Sequence, residues 1–209
     1  MISHEHKCIF IHIRKNAGSS IINSFELPTA EGSAVGYGTD GTYDKNWDTH
    51  RYPDYLIFAV ARNPWSRFIS GWKWLCRRAY HAKGNLGPEY YRRTSLKEVL
   101  RTLPAELPAN SHDRRHLFWT HMDMLTDRDS RFVAHSILRF ERLQRDYKDL
   151  CQRINKTYVP LPHRNKGSHR PYWDYYDEET RELVGEIFRK DVEYFGYKFG
   201  DLDSTSSGE

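Results

Sequence analysis

Apolar positions in this chain gather into two short runs and several stretches of helical spacing. Ile9, Phe10, Ile11 and Ile13, interrupted only by His12, form the first run. Tyr55 to Ala61 forms the second. Runs of this length predict strands in a sheet covered on both faces. Each run breaks into polar residues and then turns helical. After the second run, Asn63 and Pro64 are placed as N-cap and first helical residue. Trp65, Phe68, Ile69, Trp72, Leu75 and Cys76 then recur on one face, with Ser70 on the other.

Further along, Ser95 to Glu98 reads as a capping box that opens a helix to about Leu103. Phe132 to Arg139 predicts a strand, and Glu141 to about Asn155 a helix. Asp177 caps the last helix, with Glu178 and Glu179 in its first turn. Leu183, Val184, Ile187, Phe188, Val192 and Phe195 give that helix an apolar face, and Gly196 ends it. Residues 31–49 are rich in Gly, Thr and Asp and read as a long loop of the kind that carries function. The tail, 203–209, reads as disordered. No internal repeat is visible. The pattern predicts one α/β domain over 1–202, a three-layer sandwich around a mostly parallel sheet.

Composition narrows the chemistry. Hydrophobic residues are 38% of the 209 while aromatics reach 14%, so the core is built largely on Trp, Tyr and Phe. A net charge of +4 suits an acidic ligand but falls short of a nucleic-acid footprint. Cys8, Cys76 and Cys151 are odd in number and far apart, which indicates no disulfide framework. No run approaches a transmembrane helix, and no signal peptide precedes residue 8. The expected location is cytoplasmic, unless an N-terminal leader or anchor precedes this sequence.

The junctions between strand and helix carry the candidate chemistry. Lys15, Asn16, Ala17, Gly18, Ser19 and Ser20 lie between the first strand and its helix. An ammonium, two hydroxyls and exposed backbone N–H groups there make an anion site. Arg62 ends the second strand, and Ser70 stands roughly 12 Å further along the following helix, a gap an arginine can largely cover. Ligands collect at the carboxyl ends of strands in open α/β sheets, so two such junctions could hold two phosphates of one nucleotide. The alternatives are a capped helix start with a solvated lysine and an ordinary strand-to-helix turn.

"FIHIRKNAGSSI" resembles the 5′-phosphosulfate-binding loop of the carbohydrate sulfotransferases, whose usual form is Pro-Lys-Thr-Gly-Gly-Thr-Ser after an apolar strand. "FAVARNPWSRFISGW" resembles the 3′-phosphate motif of the same superfamily, and "LRFERLQRDY" with the region 161–199 extends the similarity. Arg14 stands for the usual proline, Asn16 and Ala17 for Thr-Gly, and Ser19 for Thr. The resemblance implies a P-loop-like sulfotransferase fold. It also implies transfer of a sulfuryl group from 3′-phosphoadenosine 5′-phosphosulfate (PAPS), leaving adenosine 3′,5′-bisphosphate (PAP), to a hydroxyl on an acceptor expected to be a carbohydrate.

On that resemblance Lys15 neutralises the leaving 5′-phosphate, and the amides around Gly18, with Ser19 and Ser20, cradle it. Arg62 and Ser70 bind the 3′-phosphate. Lys166, Ser168 and Arg170, in the basic loop 163–173, close over the nucleotide, unless that loop is a solvated connector. His112, His116 and Trp119 are weaker candidates for the acceptor side. A general base is needed. His50 stands twelve residues before Arg62, and related sugar sulfotransferases use a histidine or a glutamate upstream of the 3′-phosphate motif. A surface histidine beside Arg51 is the alternative. His12, inside the first strand, is expected to support the loop from beneath.

No metal is expected: His112, His116 and His121 lack a supporting carboxylate or cysteine cluster. A Walker loop fits worse, because Lys15 precedes the loop glycine instead of following it. A magnesium-dependent phosphotransferase and a non-catalytic binder of nucleotide or anionic glycan remain the other classes.

Overall fold

The computed structural model describes residues 1–25, 52–78, 86–109, 111–127, 129–162 and 170–201. Four strands pair in the order β1 (Ile2–Ser3), β2 (Cys8–Ile11), β3 (Leu56–Ala61), β4 (Ser136–Arg139). β1 is antiparallel to β2, while β2–β3 and β3–β4 are parallel. The α/β class with a mostly parallel sheet, expected from the two apolar runs, is what forms. β2 and β3 are buried along nearly their whole length, which is why they read as unbroken apolar runs and not as alternation. The register sets Ile11 beside Ala59 and Ala61 beside Arg139, so all three parallel strands deliver their carboxyl ends to one edge.

The described helices are α1 (Gly18–Ser24), α2 (Pro64–Arg77), α3 (Pro88–Arg93), α4 (Leu96–Glu106), α5 (His112–Leu117), α6 (His121–Leu125), α7 (Leu143–Arg153), α8 (Glu178–Ile187) and α9 (Arg189–Phe195). Several boundaries differ from the sequence reading. The strand expected over 132–139 shortens to β4, because Phe132 pairs instead with Thr126 in an isolated bridge. α4 runs through Pro104 to Glu106, three residues beyond the expected end. The helix expected from Glu141 begins as a 3-10 turn, Phe140–Arg142, before α7. The single last helix is two, broken at Phe188, whose backbone leaves helical geometry at φ −106°, ψ 21°. Its ends were legible. Asp177 accepts from the Thr180 N–H in a capping box, and Gly196 closes α9 at φ 67°.

The contacts cluster into two compact units. The first holds 1–62, 121–167 and 202–209; the second holds 63–120 and 168–201. In the first, Phe10 and Phe58 stack with centroids 5.1 Å apart, and Ile21, Leu138, Tyr147 and Leu150 pack around them. In the second, Phe68, Leu75, Tyr91, Leu103, Leu117, Val184 and Phe188 form the core. Gly71 is required there: a Cβ would lie 2.5 Å from the His116 carbonyl oxygen, so α2 approaches α5 only with hydrogen at that position.

Candidate anion-binding site

β2 ends at Ile11, and the chain then crosses the carboxyl edge of the sheet through residues 12–17. Lys15 and Ala17 adopt left-handed backbone, at φ 70° and 57°, and Asn16 between them does not. Such alternation turns successive N–H groups toward one concave side. Among the described residues, the N–H groups of Asn16, Ala17, Gly18 and Ser19 have no hydrogen-bond acceptor, and no side chain caps α1. Four adjacent donors left open in a loop built around a lysine are what an oxyanion needs.

The loop is held from three sides. The Asn16 amide donates to the Val60 carbonyl at 2.6 Å and lies 2.9 Å from His121 Nε2. The Arg62 guanidinium donates to the Lys15 carbonyl at 3.1 Å. Beneath the loop, His12 fills the space where Gly18 has no side chain: a Cβ at Gly18 would sit 1.9 Å from His12 Nε2. Only glycine fits. Burial, then the positive charges of Arg14, the N-terminus and Lys15, push the His12 pKa down to about 3. The ring is therefore neutral at physiological pH and a poor proton acceptor; it lies one residue past the end of β2, not inside the strand as expected, and packs against Gly18.

Arg62 follows the last residue of β3. Its guanidinium stacks 3.9 Å over the Phe140 ring, which immediately follows β4. One of its nitrogens is the donor to the Lys15 carbonyl. Lys15 is half-buried, Ser19 exposed, and the Ser20 hydroxyl donates to the Pro162 carbonyl at 3.3 Å. The first unit thus brings Lys15, Asn16, Ala17, Gly18, Ser19, Ser20 and Arg62 to one edge of the sheet.

Of the other expected residues, Ser70 and Arg170 belong to the second unit. Ser70 is half-buried on α2, which Asn63 caps by accepting from the Trp65 and Ser66 N–H groups. Arg170 stacks 4.1 Å over the Tyr175 ring, with the Lys73 ammonium 4.0 Å from the same ring. Burial raises the Tyr175 pKa, but hydrogen bonds and charge from Lys73 and Arg170 outweigh it and hold the phenol below its ordinary value. His50, Lys166 and Ser168 lie outside the described residues.

His112, His116 and Trp119 are engaged within the second unit. His116 is 2% exposed, stacks on Trp74 at 4.4 Å, and its Nδ1 contacts the His112 carbonyl at 2.9 Å. Trp119 Nε1 donates to the Ala109 carbonyl. Asp113, fully buried, accepts from Arg78, the Tyr91 hydroxyl at 2.7 Å and the Leu86 N–H. Among the described residues no group of three or more His, Cys, Asp or Glu side chains could hold a metal, and no helix is long and apolar enough to cross a membrane.

The sequence offers His121 only a metal spacing with His112 and His116, whereas the structure sets it against Asn16 and the Arg62 N–H. Nothing in hydrophobic periodicity marks it, since its partners, Asn16 and Arg62, lie 105 and 59 residues away.

No curated protein and no solved structure matched the chain. A family model did, across nearly the full length: residues 1–198 match the sulfotransferase family. That span contains both strand-to-helix junctions and the loop with its four open donors, and the chain belongs to the sulfotransferase family.

Proposed function

We propose that this sulfotransferase takes PAPS as donor and transfers its sulfuryl group to a hydroxyl of a saccharide. The observation that carries the reading is the row of N–H groups at Asn16–Ser19 with no acceptor among the described residues, flanked by Lys15 and braced by Arg62. The donor set fits a 5′-phosphosulfate, with one negative charge on phosphate and one on sulfate: backbone amides, one ammonium and two hydroxyls, with no carboxylate among the residues of the loop.

In the transfer, the acceptor oxygen forms a bond to sulfur, the bond from sulfur to the 5′-phosphate oxygen breaks, and the acceptor proton passes to a base. Lys15 and the loop amides stabilise charge on the departing phosphate oxygen. Arg62 and Ser70 hold the 3′-phosphate and thereby set the donor apart from nucleotides that lack it. Lys166, Ser168 and Arg170 complete the nucleotide contacts. His50 accepts the proton, and His112, His116 and Trp119 border the acceptor.

Thermal-shift measurements with PAP, AMP and magnesium–ATP test the donor. PAP should raise the melting temperature well above either other nucleotide. A larger shift with magnesium–ATP would replace this reading with phosphotransfer. Equal small shifts with all three would remove the donor assignment.

A further inference from the structure

The side chain of Asn16 is tied to two atoms that leave no freedom in how its hydrogens are arranged. Val60 offers a carbonyl oxygen, which can only accept, so the nitrogen of the Asn16 amide must face it at 2.6 Å. The same nitrogen lies 2.9 Å from His121 Nε2. The backbone N–H of Arg62, which can only donate, also points at His121 Nε2, at 3.2 Å. Two donors converge on one ring nitrogen. That nitrogen must therefore be unprotonated, and the imidazole neutral with its proton on Nδ1.

His121 is fully buried, as is Asn16 at 1% exposed, so water does not compete for these bonds. The Asn16 Oδ1 is buried without a hydrogen-bond partner among the described residues. Asparagine is therefore held by its two N–H donors alone, and loss of the imidazole acceptor would leave one of them unsatisfied as well. The consequence reaches both anion-handling segments. Asn16 follows Lys15 and carries the first of the open amides, while the Arg62 N–H sits at the base of the guanidinium that braces the Lys15 carbonyl. His121 is the first residue of α6, at the point where the chain re-enters the first unit.

We propose that His121 is a positioning residue. As the Nδ1–H tautomer it joins the loop to the end of β3 through a single nitrogen, fixing Lys15 and Arg62 in one register. This inference rests on the reading of the loop as the site of the PAPS 5′-phosphate.

The experiment uses the full chain. Nitrogen-15 spectra of histidine-labelled protein at neutral pH should show His121 with an unprotonated Nε2. An Nε2–H tautomer or an imidazolium would overturn the proposal, whether or not any variant folds. Calorimetry with PAP then compares wild type, His121→Leu and His121→Gln. Failure of the wild type to bind PAP would overturn the donor reading and leave the tautomer result standing. With binding intact, His121→Leu should weaken PAP about tenfold, the loss expected for a buried hydrogen-bonding group removed. It should also raise KM for PAPS while KM for the acceptor is unchanged. His121→Gln, which restores an acceptor near Nε2, should recover most of that loss. A folded Leu variant with wild-type PAP affinity, or a deficit that Gln does not reduce, would overturn the assignment.

Discussion

Both units bury histidine among polar groups, and they do so to opposite ends. Around His112 and His116 the groups close on one another. Asp113 receives the Arg78 guanidinium, the Tyr91 hydroxyl and the Leu86 N–H, while His116 stacks flat on Trp74. Around His12 and His121 the side chains close on the loop but leave its backbone open. Asn16, Gly18 and the Lys15 carbonyl are all fixed, yet four N–H groups between Asn16 and Ser19 have no acceptor among the described residues. A buried network whose members satisfy one another contributes to stability and uniqueness. A rigid frame around backbone donors without acceptors among the described residues has the form of an anion-binding nest, which is what the proposed function uses. The distinction separates two histidine-rich regions that composition alone presents as equals.

The comparison breaks most visibly at Lys15. Lys15→Ala keeps a side chain with the same left-handed strain, so the backbone frame should persist while the ammonium is lost. Turnover should fall on the order of 100-fold or more, with far less effect on PAP affinity. Steady-state rates with near-normal turnover would remove Lys15 from the leaving group.

Asp113→Ala tests the opposite region. It strands the buried Arg78 guanidinium and should cost on the order of 3–5 kcal/mol in denaturant unfolding, while PAP affinity of the folded protein stays unchanged. Burial raises the Asp113 pKa, but hydrogen bonds from His112, Tyr91 and Arg78 and the Arg78 charge outweigh it, so the carboxyl lies below its ordinary range. Its stabilisation is present above the unfolded carboxylate pKa and is lost as pH falls through the lower folded value.

Arg62→Ala removes a charged donor and should weaken PAP by about 1.5–3 kcal/mol, and AMP by less, because AMP loses only the brace at the Lys15 carbonyl. Calorimetry showing an unchanged PAP-to-AMP ratio would place the 3′-phosphate elsewhere.

Gly18→Ala drives a methyl into His12 and should cost about 1–3 kcal/mol of stability together with PAP affinity. Adding His12→Ala should return part of both. A Gly18→Ala protein with wild-type melting and binding would deny the close approach.

His12 sharpens the contrast further through pH. Its folded pKa of about 3 lies below the ordinary 6.5, so the unfolded chain binds the proton first. Stability should decline as pH falls from 6.5 toward 3, and His12→Gln should flatten that part of the profile.

Much of this was legible in the sequence, and for physical reasons. β2 and β3 are buried strands in a parallel sheet, which forces continuous apolar runs, and Asn63-Pro64 announces a helix start through local hydrogen bonding alone. Lys15, Gly18 and Arg62 stand at junctions that periodicity delimits. The break at Phe188 was hidden, because Leu183, Val184, Ile187, Val192 and Phe195 keep one apolar spacing across both helices. The short helices α3, α5 and α6 carry too few turns to show a period. His121 was hidden for another reason. Its contact with Asn16 spans 105 residues, and neither spacing nor charge near position 121 encodes it.

The central claim is that the open amides of the loop receive the 5′-phosphate. Amide proton–nitrogen spectra of the labelled protein, recorded as PAP is added, address it residue by residue. The account predicts the largest shifts at Asn16, Ala17, Gly18 and Ser19, with Asp113 and its neighbours unmoved. Saturable PAP binding that leaves those four amides in place would contradict it.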